Sequence, residues 1–501
     1  MVDYTSSGNL ANKSVKKTMI NQNLLSQLKD DLEKFESERD YKQIANLAQK
    51  LGELYQRNNN FKEAELFLKK AFSAFERLFS SEDPNLVPIL NAMSALYFEM
   101  GMPALAEPFC KKLTSIYAKT HGSEHPEVAI GLTNLALIAQ SKNQYEKACQ
   151  MLKGALLIRE KALGKNNIEV ARSLINLSNL ELMIKDYTKA CSYSKKALAI
   201  VQEIIEPNDL EIIYFYEQIV EILILNDELS EALEYALKIL NIKEIKLGPN
   251  HQDVCSTLLI LARIYTGQQK FDIAFKSVKR ALTMKERVYG NNHLNLVPLF
   301  LELVTISQMQ ENFSQAEDYL RQSLQILERN DSPANNPLLD ETLFKYANLY
   351  QKQKRYAKAK PYWLRLIELR QKFEKANLDE LCLVKAKLME CSYYQKDIPE
   401  TKKYLSEILN TKNNIMVDSG IKVAQSLNTV ALDMVSNNNF ELAEPMLQKA
   451  IDLKTKYLGP NHQELVVSLK GMSLILGKTF RESEAEHIMA CANKIMENND
   501  A

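Results

Sequence analysis

The sequence predicts an all-α fold, a right-handed α-solenoid of about eleven helical hairpins with a capping helix at its N-terminal end. Three observations carry this. The chain repeats itself every 42 residues, the apolar residues of each period follow helical spacing, and Gly and Pro number only 14 each among 501 residues. One globular core stops growing at roughly 250–300 residues, so a chain of this length is several domains or a repeat array. Scarce Gly and Pro disfavour an all-β or linker-rich protein.

Eleven marks fix the period: Phe61, Pro103, Tyr145, Tyr187, Leu229, Phe271, Phe313, Tyr356, Ile398, Phe440 and Glu482. Every interval is 42 except Phe313 to Tyr356, which is 43, with the extra residue near the loop 330–337. Three positions after the mark stands Ala in ten units, and Thr401 in the other. Nine before it, eight units carry a small residue: Gly52, Ser94, Ala136, Ser178, Ala262, Ala347, Ala431 and Ser473. Ten before it the residue is always apolar, and ten after it Ala or Ser recurs. Helices of a hairpin approach closely only where side chains are small. These spacings therefore place an apolar stripe on each of two helices per unit, each mark lying near the junction between them.

The boundaries follow from turn chemistry. Gly122, Gly164, Gly248, Gly290 and Gly459 close the second helix, where a left-handed C-cap is expected. Turn residues follow, and they supply an N-cap for the next helix. His125, His251, His293 and His462 share one position in these linkers, which reads as a turn or capping role; one His per repeat does not assemble a metal site. His121 and His487 read as isolated.

The small residue, aromatic and Ala pattern resembles the tetratricopeptide repeat. Its 42-residue length, with Gly-Pro-Asn-His linkers, resembles the long variant of kinesin light chains. The match is close over Tyr145 to Ala171, and the resemblance covers about residues 40–498. Eleven units exceed the usual set of that family, and no sustained heptad precedes them. The resemblance implies a non-catalytic adaptor or scaffold that grips an extended peptide on its concave face, with Asn side chains holding the ligand backbone. Helical spacing puts the exposed positions of the first helices about fifteen, twelve, eleven, eight and five residues before each mark. The candidate peptide-binding residues are Thr133, Asn134, Arg172, Asn176, Asn179, Glu217, Gln218, Glu221 and Arg263. A regulatory sensor, whose array binds a peptide or small effector and modulates a partner, is the alternative. The Lys and Asn clamp for a terminal carboxylate is missing: Lys470 is followed one turn later by Leu474.

Residues 1–18 read as a disordered tail, 19–39 as the capping helix with Leu24, Leu25, Leu28 and Leu32, 40–332 as a regular block, and 338–498 as a less regular one. The pattern weakens between 375 and 420, where Lys385 stands at a core position and Thr401 replaces Ala. Irregular packing or a bend is expected there and near 332–337.

Other chemistry is weak. Lys+Arg and Asp+Glu are both 63, so no net field draws the chain to nucleic acid or an anionic membrane. Seven cysteines, an odd number without a C-x-x-C pair, read as reduced thiols of a cytoplasmic protein. No apolar stretch of membrane-spanning length or signal peptide is evident. Gly471 to Thr479 resembles a phosphate-binding loop but has five residues between its glycines, where four are needed, and no preceding strand. Lys352, Lys354, Arg355, Lys358 and Lys360, interleaved with Tyr350, Tyr356, Tyr362 and Trp363, suggest a nucleic-acid patch; a solvated face over core aromatics accounts for them better. No nucleophile, paired carboxylates or metal cluster stands out, so neither enzyme nor cofactor is expected.

Overall fold

In the computed structural model, residues 22–330, 336–371, 378–411 and 416–500 are described. They form 23 α-helices, two 3-10 turns and no strand. The proposed tail (1–18) lies outside the described residues, as do the first residues of the expected cap and most of the 332–337 loop.

Contacts divide the chain into two compact units between Gln268 and Gln269. The first contains α1 (Gln22–Glu38), α2 (Tyr41–Arg57), α3 (Phe61–Leu78), α4 (Val87–Glu99), α5 (Pro103–His121), α6 (Pro126–Ser141), α7 (Tyr145–Leu163), α8 (Ile168–Ile184), α9 (Tyr187–Ile204), α10 (Glu211–Leu225), α11 (Leu229–Leu247) and α12 (Gln252–Gly267). The second contains α13 (Phe271–Tyr289), α14 (Val297–Met309), α15 (Phe313–Arg329), α16 (Asn336–Lys352), α17 (Tyr356–Gln371), α18 (Leu378–Tyr394), α19 (Ile398–Leu409), α20 (Val417–Ser436), α21 (Phe440–Leu458), α22 (Leu465–Lys478) and α23 (Glu482–Asp500). Within each unit consecutive helices pack in sequence order, as in an α-solenoid, with one exception in the segment where the sequence pattern weakens: α20 packs on α18 and not on α19. Every one of the eleven marks is the first residue of a second helix.

Inside the hairpins the close approach is visible atom by atom. Ala64, Ala106, Ala148, Ala190, Ala232, Ala274, Ala316, Ala359 and Ala443, three after their marks, are wholly buried. A Cβ on Gly52 would sit 2.5 Å from Leu68 Cγ, so α2 and α3 cross only over a bare backbone. In two of the three units where Ser fills the same position it ties the crossing: Ser178 Oγ donates to the Ala190 carbonyl (2.6 Å) and Ser473 Oγ to that of Ala485 (2.8 Å), while Ser94 Oγ donates to the Asn91 carbonyl of its own helix (3.0 Å). The irregular hairpin α18–α19 keeps this plan. Thr401 is fully buried and donates its hydroxyl to the Asp397 carbonyl (2.7 Å), while Lys385 is half-buried and pairs with Glu407 (2.8 Å).

The left-handed turn falls elsewhere than expected. Two residues before every mark the backbone has positive φ: Gly101 in one unit, and non-glycine residues such as Asn59, Asn143, Lys185 and Phe480 in the other ten. The next amide reaches back five residues, as Asn60 to Tyr55 (3.0 Å), Gln144 to Ala139 (2.9 Å) and Asn439 to Met434 (2.9 Å). This is the Schellman closure, and it occurs inside the hairpin. The linker glycines do something different. Gly122, Gly164, Gly248, Gly290 and Gly459 have φ of 78–94° and ψ of 152–167°. That is an extended mirror-image conformation essentially closed to other residues, not the left-handed helical cap.

The capping helix is present. α1 packs on α2, with Leu28 and Leu32 buried in the first core. Arg39, two residues before Tyr41, has φ 58°, so α1 joins α2 through the same closure that joins the helices of a hairpin.

These two kinds of glycine give opposite expectations. Gly164→Ala meets no atom within 4 Å but forces Ala into a forbidden backbone, and should cost about 1–3 kcal/mol. Gly477→Ala is equally unobstructed but lies within α22, and should be neutral or gain up to about 1 kcal/mol. Denaturant midpoints of the two variants check the difference.

Candidate functional site

The first helices supply the surface the sequence singled out, and all nine candidate residues lie in the first unit. The structure sorts them. Thr133 and Asn134 have no exposed surface and Asn176 is buried, so the expectation that they face solvent is corrected. Arg172, Asn179, Glu217 and Gln218 are partly exposed; Glu221 and Arg263 are exposed. The surviving accessible line runs along the positions fifteen and eight before the mark, with Gln218 at position eleven. The position twelve before it turns toward the neighbouring hairpin.

The reason is a side chain that the spacing rule did not include. Fourteen residues after the mark, several second helices carry a cation that reaches between consecutive first helices. Arg159, almost fully buried, donates from Nη1 to Thr133 Oγ1 (3.3 Å) on α6 and Ser173 Oγ (2.7 Å) on α8. Lys243 bridges Glu217 (2.8 Å) on α10 and Thr257 Oγ1 (3.0 Å) on α12. In the second unit, Lys454 donates to Ser468 Oγ (3.0 Å) and the Glu464 carbonyl (2.9 Å), and burial holds its pKa below the usual lysine value. Buried charge survives only when fully hydrogen-bonded, so Thr133 and Glu217 act first as partners of these cations. The signal was in the sequence as the recurrence of Arg159, Lys243, Arg370 and Lys454 at one offset.

What remains accessible is an ordered polar line. Glu221 and Arg263, one repeat apart, form a 2.7 Å ion pair with both side chains about half exposed. Arg172 is held by Glu169 at 2.8 Å. Arg and carboxylate groups of this kind read charge and hydrogen-bond pattern, and Asn179 and Gln218 add amide donors and acceptors.

The first four of the same offsets, applied to the first mark, Phe61, give Asn46, Gln49, Lys50 and Glu53. These four line a groove of about 470 Å³, with Lys42, Asn85 and Phe75. Here Phe75 occupies the offset that carries Arg159 elsewhere, so no cation bridges the two first helices and the groove stays open. Sequence reasoning missed it by restricting the choice to the middle repeats, not because the rule failed there.

The remaining motifs take structural roles. His125, His251, His293 and His462 each accept, through Nδ1, the amide two residues on, at 3.1–3.4 Å, the expected N-cap. His121 is not isolated: its ring stacks on His125 at 4.7 Å. Gly471 lies in α22, its missing side chain making room for Leu432 and Leu447, and so belongs to the core. Tyr350 and Trp363 are buried, with Trp363 Nε1 donating to Gln351 (2.9 Å), so they offer no stacking platform for bases. None of the seven thiols is in a disulfide; five are buried, Cys149 is partly exposed and Cys491 is exposed. Burial pushes Cys110 and Cys391 up to about 12. Among the described residues, no helix is long and apolar enough to cross a membrane.

Stacked two-helix units with an accessible line along their first helices define a helical-repeat scaffold. Tetratricopeptide repeat profiles match residues 43–119, 85–153, 127–203, 253–329, 340–373 and 423–464. The chain belongs to the tetratricopeptide repeat family, whose arrays are protein–protein interaction scaffolds. No curated protein matches it significantly. Solved structures similar to it include kinesin light chain TPR-like repeats from Podosopora anserina, with 19% identity over 42% of this chain and 99% of that one, TM-score 0.38. The apo form of RapI has 15% identity over 57% and 97%, TM-score 0.40. YrrB, described as a TPR protein with an unusual peptide-binding site, has 17% identity over 42% and 91%, TM-score 0.30.

Two outcomes follow. Arg159→Met keeps most of the packing volume but removes the charged donors shared by Thr133 and Ser173, and should cost about 1.5–3 kcal/mol in chemical denaturation. A thiol reagent applied to the native protein should modify Cys491 rapidly and the partly exposed Cys149 more slowly, the five buried thiols following only on unfolding, as mass spectrometry with time would register.

Proposed function

We propose that the chain is a non-catalytic adaptor or scaffold that binds an extended peptide segment of a partner protein along the concave face of its first helices. The supporting observation is the accessible line Arg172, Asn179, Gln218, Glu221 and Arg263. Hydrogen-bonding and charged groups repeat there at the spacing of the hairpins, without a bridging cation over them. An extended peptide presents backbone amides and carbonyls at regular intervals, and Asn179 and Gln218 match both. Glu221 and Arg263 read side-chain charge, so the favoured peptide carries both signs in sequence. Asn134 and Asn176 support the helices from within and leave the contact to their neighbours. The open groove at Asn46 and Lys50 extends the same surface toward the N-terminal hairpins. The neutral overall charge accords with a protein partner rather than nucleic acid, and the cytoplasm is the proposed compartment.

The test compares capture of partners from the native host by the parent and by a Glu221→Ala, Arg263→Ala double variant. Removing an exposed ion pair should change stability by no more than about 1 kcal/mol. Loss of a specific captured protein, with folding unchanged, is the expected result. Unchanged capture by this variant, with loss in an Asn46→Ala, Lys50→Ala variant, would move the contact to the N-terminal groove.

A further inference from the structure

Four linkers share a capping histidine, but one of them is built differently. In the other three linkers the residue four before the histidine is apolar or aromatic: Leu247 precedes His251, Leu458 precedes His462, and Tyr289 stacks on His293 with centroids 4.7 Å apart. In the α5–α6 linker that residue is His121. Its ring stacks on His125 at the same 4.7 Å, so a second imidazole occupies the place of the tyrosine. The residue two after the capping histidine is Glu127 here and Asn295 in the tyrosine-bearing linker.

The three side chains converge. Glu127 Oε2 lies 3.6 Å from His121 Nδ1 and 3.7 Å from His125 Nδ1. One ligand atom from each residue falls within 4.8 Å of the other two. Around a tetrahedral zinc with bonds of about 2.0–2.1 Å, neighbouring ligand atoms stand about 3.3–3.4 Å apart. The carboxylate therefore needs to approach each ring by only a few tenths of an ångström, and zinc on His125 Nδ1 would take the place of the Glu127 amide that this nitrogen accepts at 3.4 Å. Two imidazoles and one carboxylate form a donor set suited to Zn²⁺. All three side chains keep between a third and a half of their surface in solvent, so an ion can enter and a fourth position stays open. The first histidine is already oriented. Tyr117 lies against its ring at 6.0 Å.

We propose that His121, His125 and Glu127 form a zinc site with three protein ligands and an open fourth position for water or a partner's side chain. The inference is independent of the peptide-binding reading. The full-length chain, reduced and carrying Cys491→Ser to remove the exposed thiol, is titrated with Zn²⁺ by calorimetry. One equivalent should bind. His121→Tyr copies the stack seen at Tyr289 and His293 and so preserves the linker, and Glu127→Gln preserves shape. Each should weaken binding about tenfold or more, since even outer-shell changes reach that size. Circular dichroism of both variants should match the parent. Absence of binding by the parent, or retention of its affinity by either variant, overturns the site.

Discussion

A hairpin whose helices are joined by a three-residue turn leaves little room between their backbones, and almost everything else in this chain follows from that approach. A wholly buried Ala three residues after nearly every mark, facing Gly52 or its small equivalents, brings the helices together. Close packing then gives the surrounding Leu and Ile dense contacts, which no single hairpin supplies in isolation. The turn is equally constrained. The Schellman closure uses positive φ at residues as different as Asn143, Lys185 and Phe480, so the turn is imposed by the two helices it connects rather than by its own residue type. A non-glycine residue there carries a modest strain that the hairpin core outweighs.

Between hairpins the constraint is polar. Consecutive first helices diverge enough to leave hydroxyls and carboxylates facing an internal gap, and Arg159 and Lys243 fill it from the second helix. These cations fix which face of each first helix stays accessible. Where Phe75 replaces the cation, the gap remains a groove. At this pair of hairpins the second-helix residue, Phe75, lines the open groove where Arg159 and Lys243 close theirs.

The linkers show how one position acquires different chemistry from its surroundings. Histidine caps a helix in four of them through the same nitrogen, and this needs only the local turn. Whether that ring also meets a second imidazole and a carboxylate depends on residues four before and two after it. Only the α5–α6 linker has both among the four.

The sequence by itself determined the period, the helical class and the position of every second helix, because core packing repeats side-chain size at fixed intervals and period is readable without coordinates. It also determined the capping role of the linker histidines, a contact made within two residues. Only the tertiary structure decided which polar residues of the first helices reach solvent. Thr133, Asn134 and Asn176 look identical in pattern to Asn179, yet the neighbouring hairpin covers them. Helical periodicity describes one helix's own faces, whereas burial is set by what packs against it from another repeat. Likewise His121 and Glu127 are six residues apart in sequence, and it is the bend at Gly122, φ 92° and ψ 156°, that brings them to 3.6 Å.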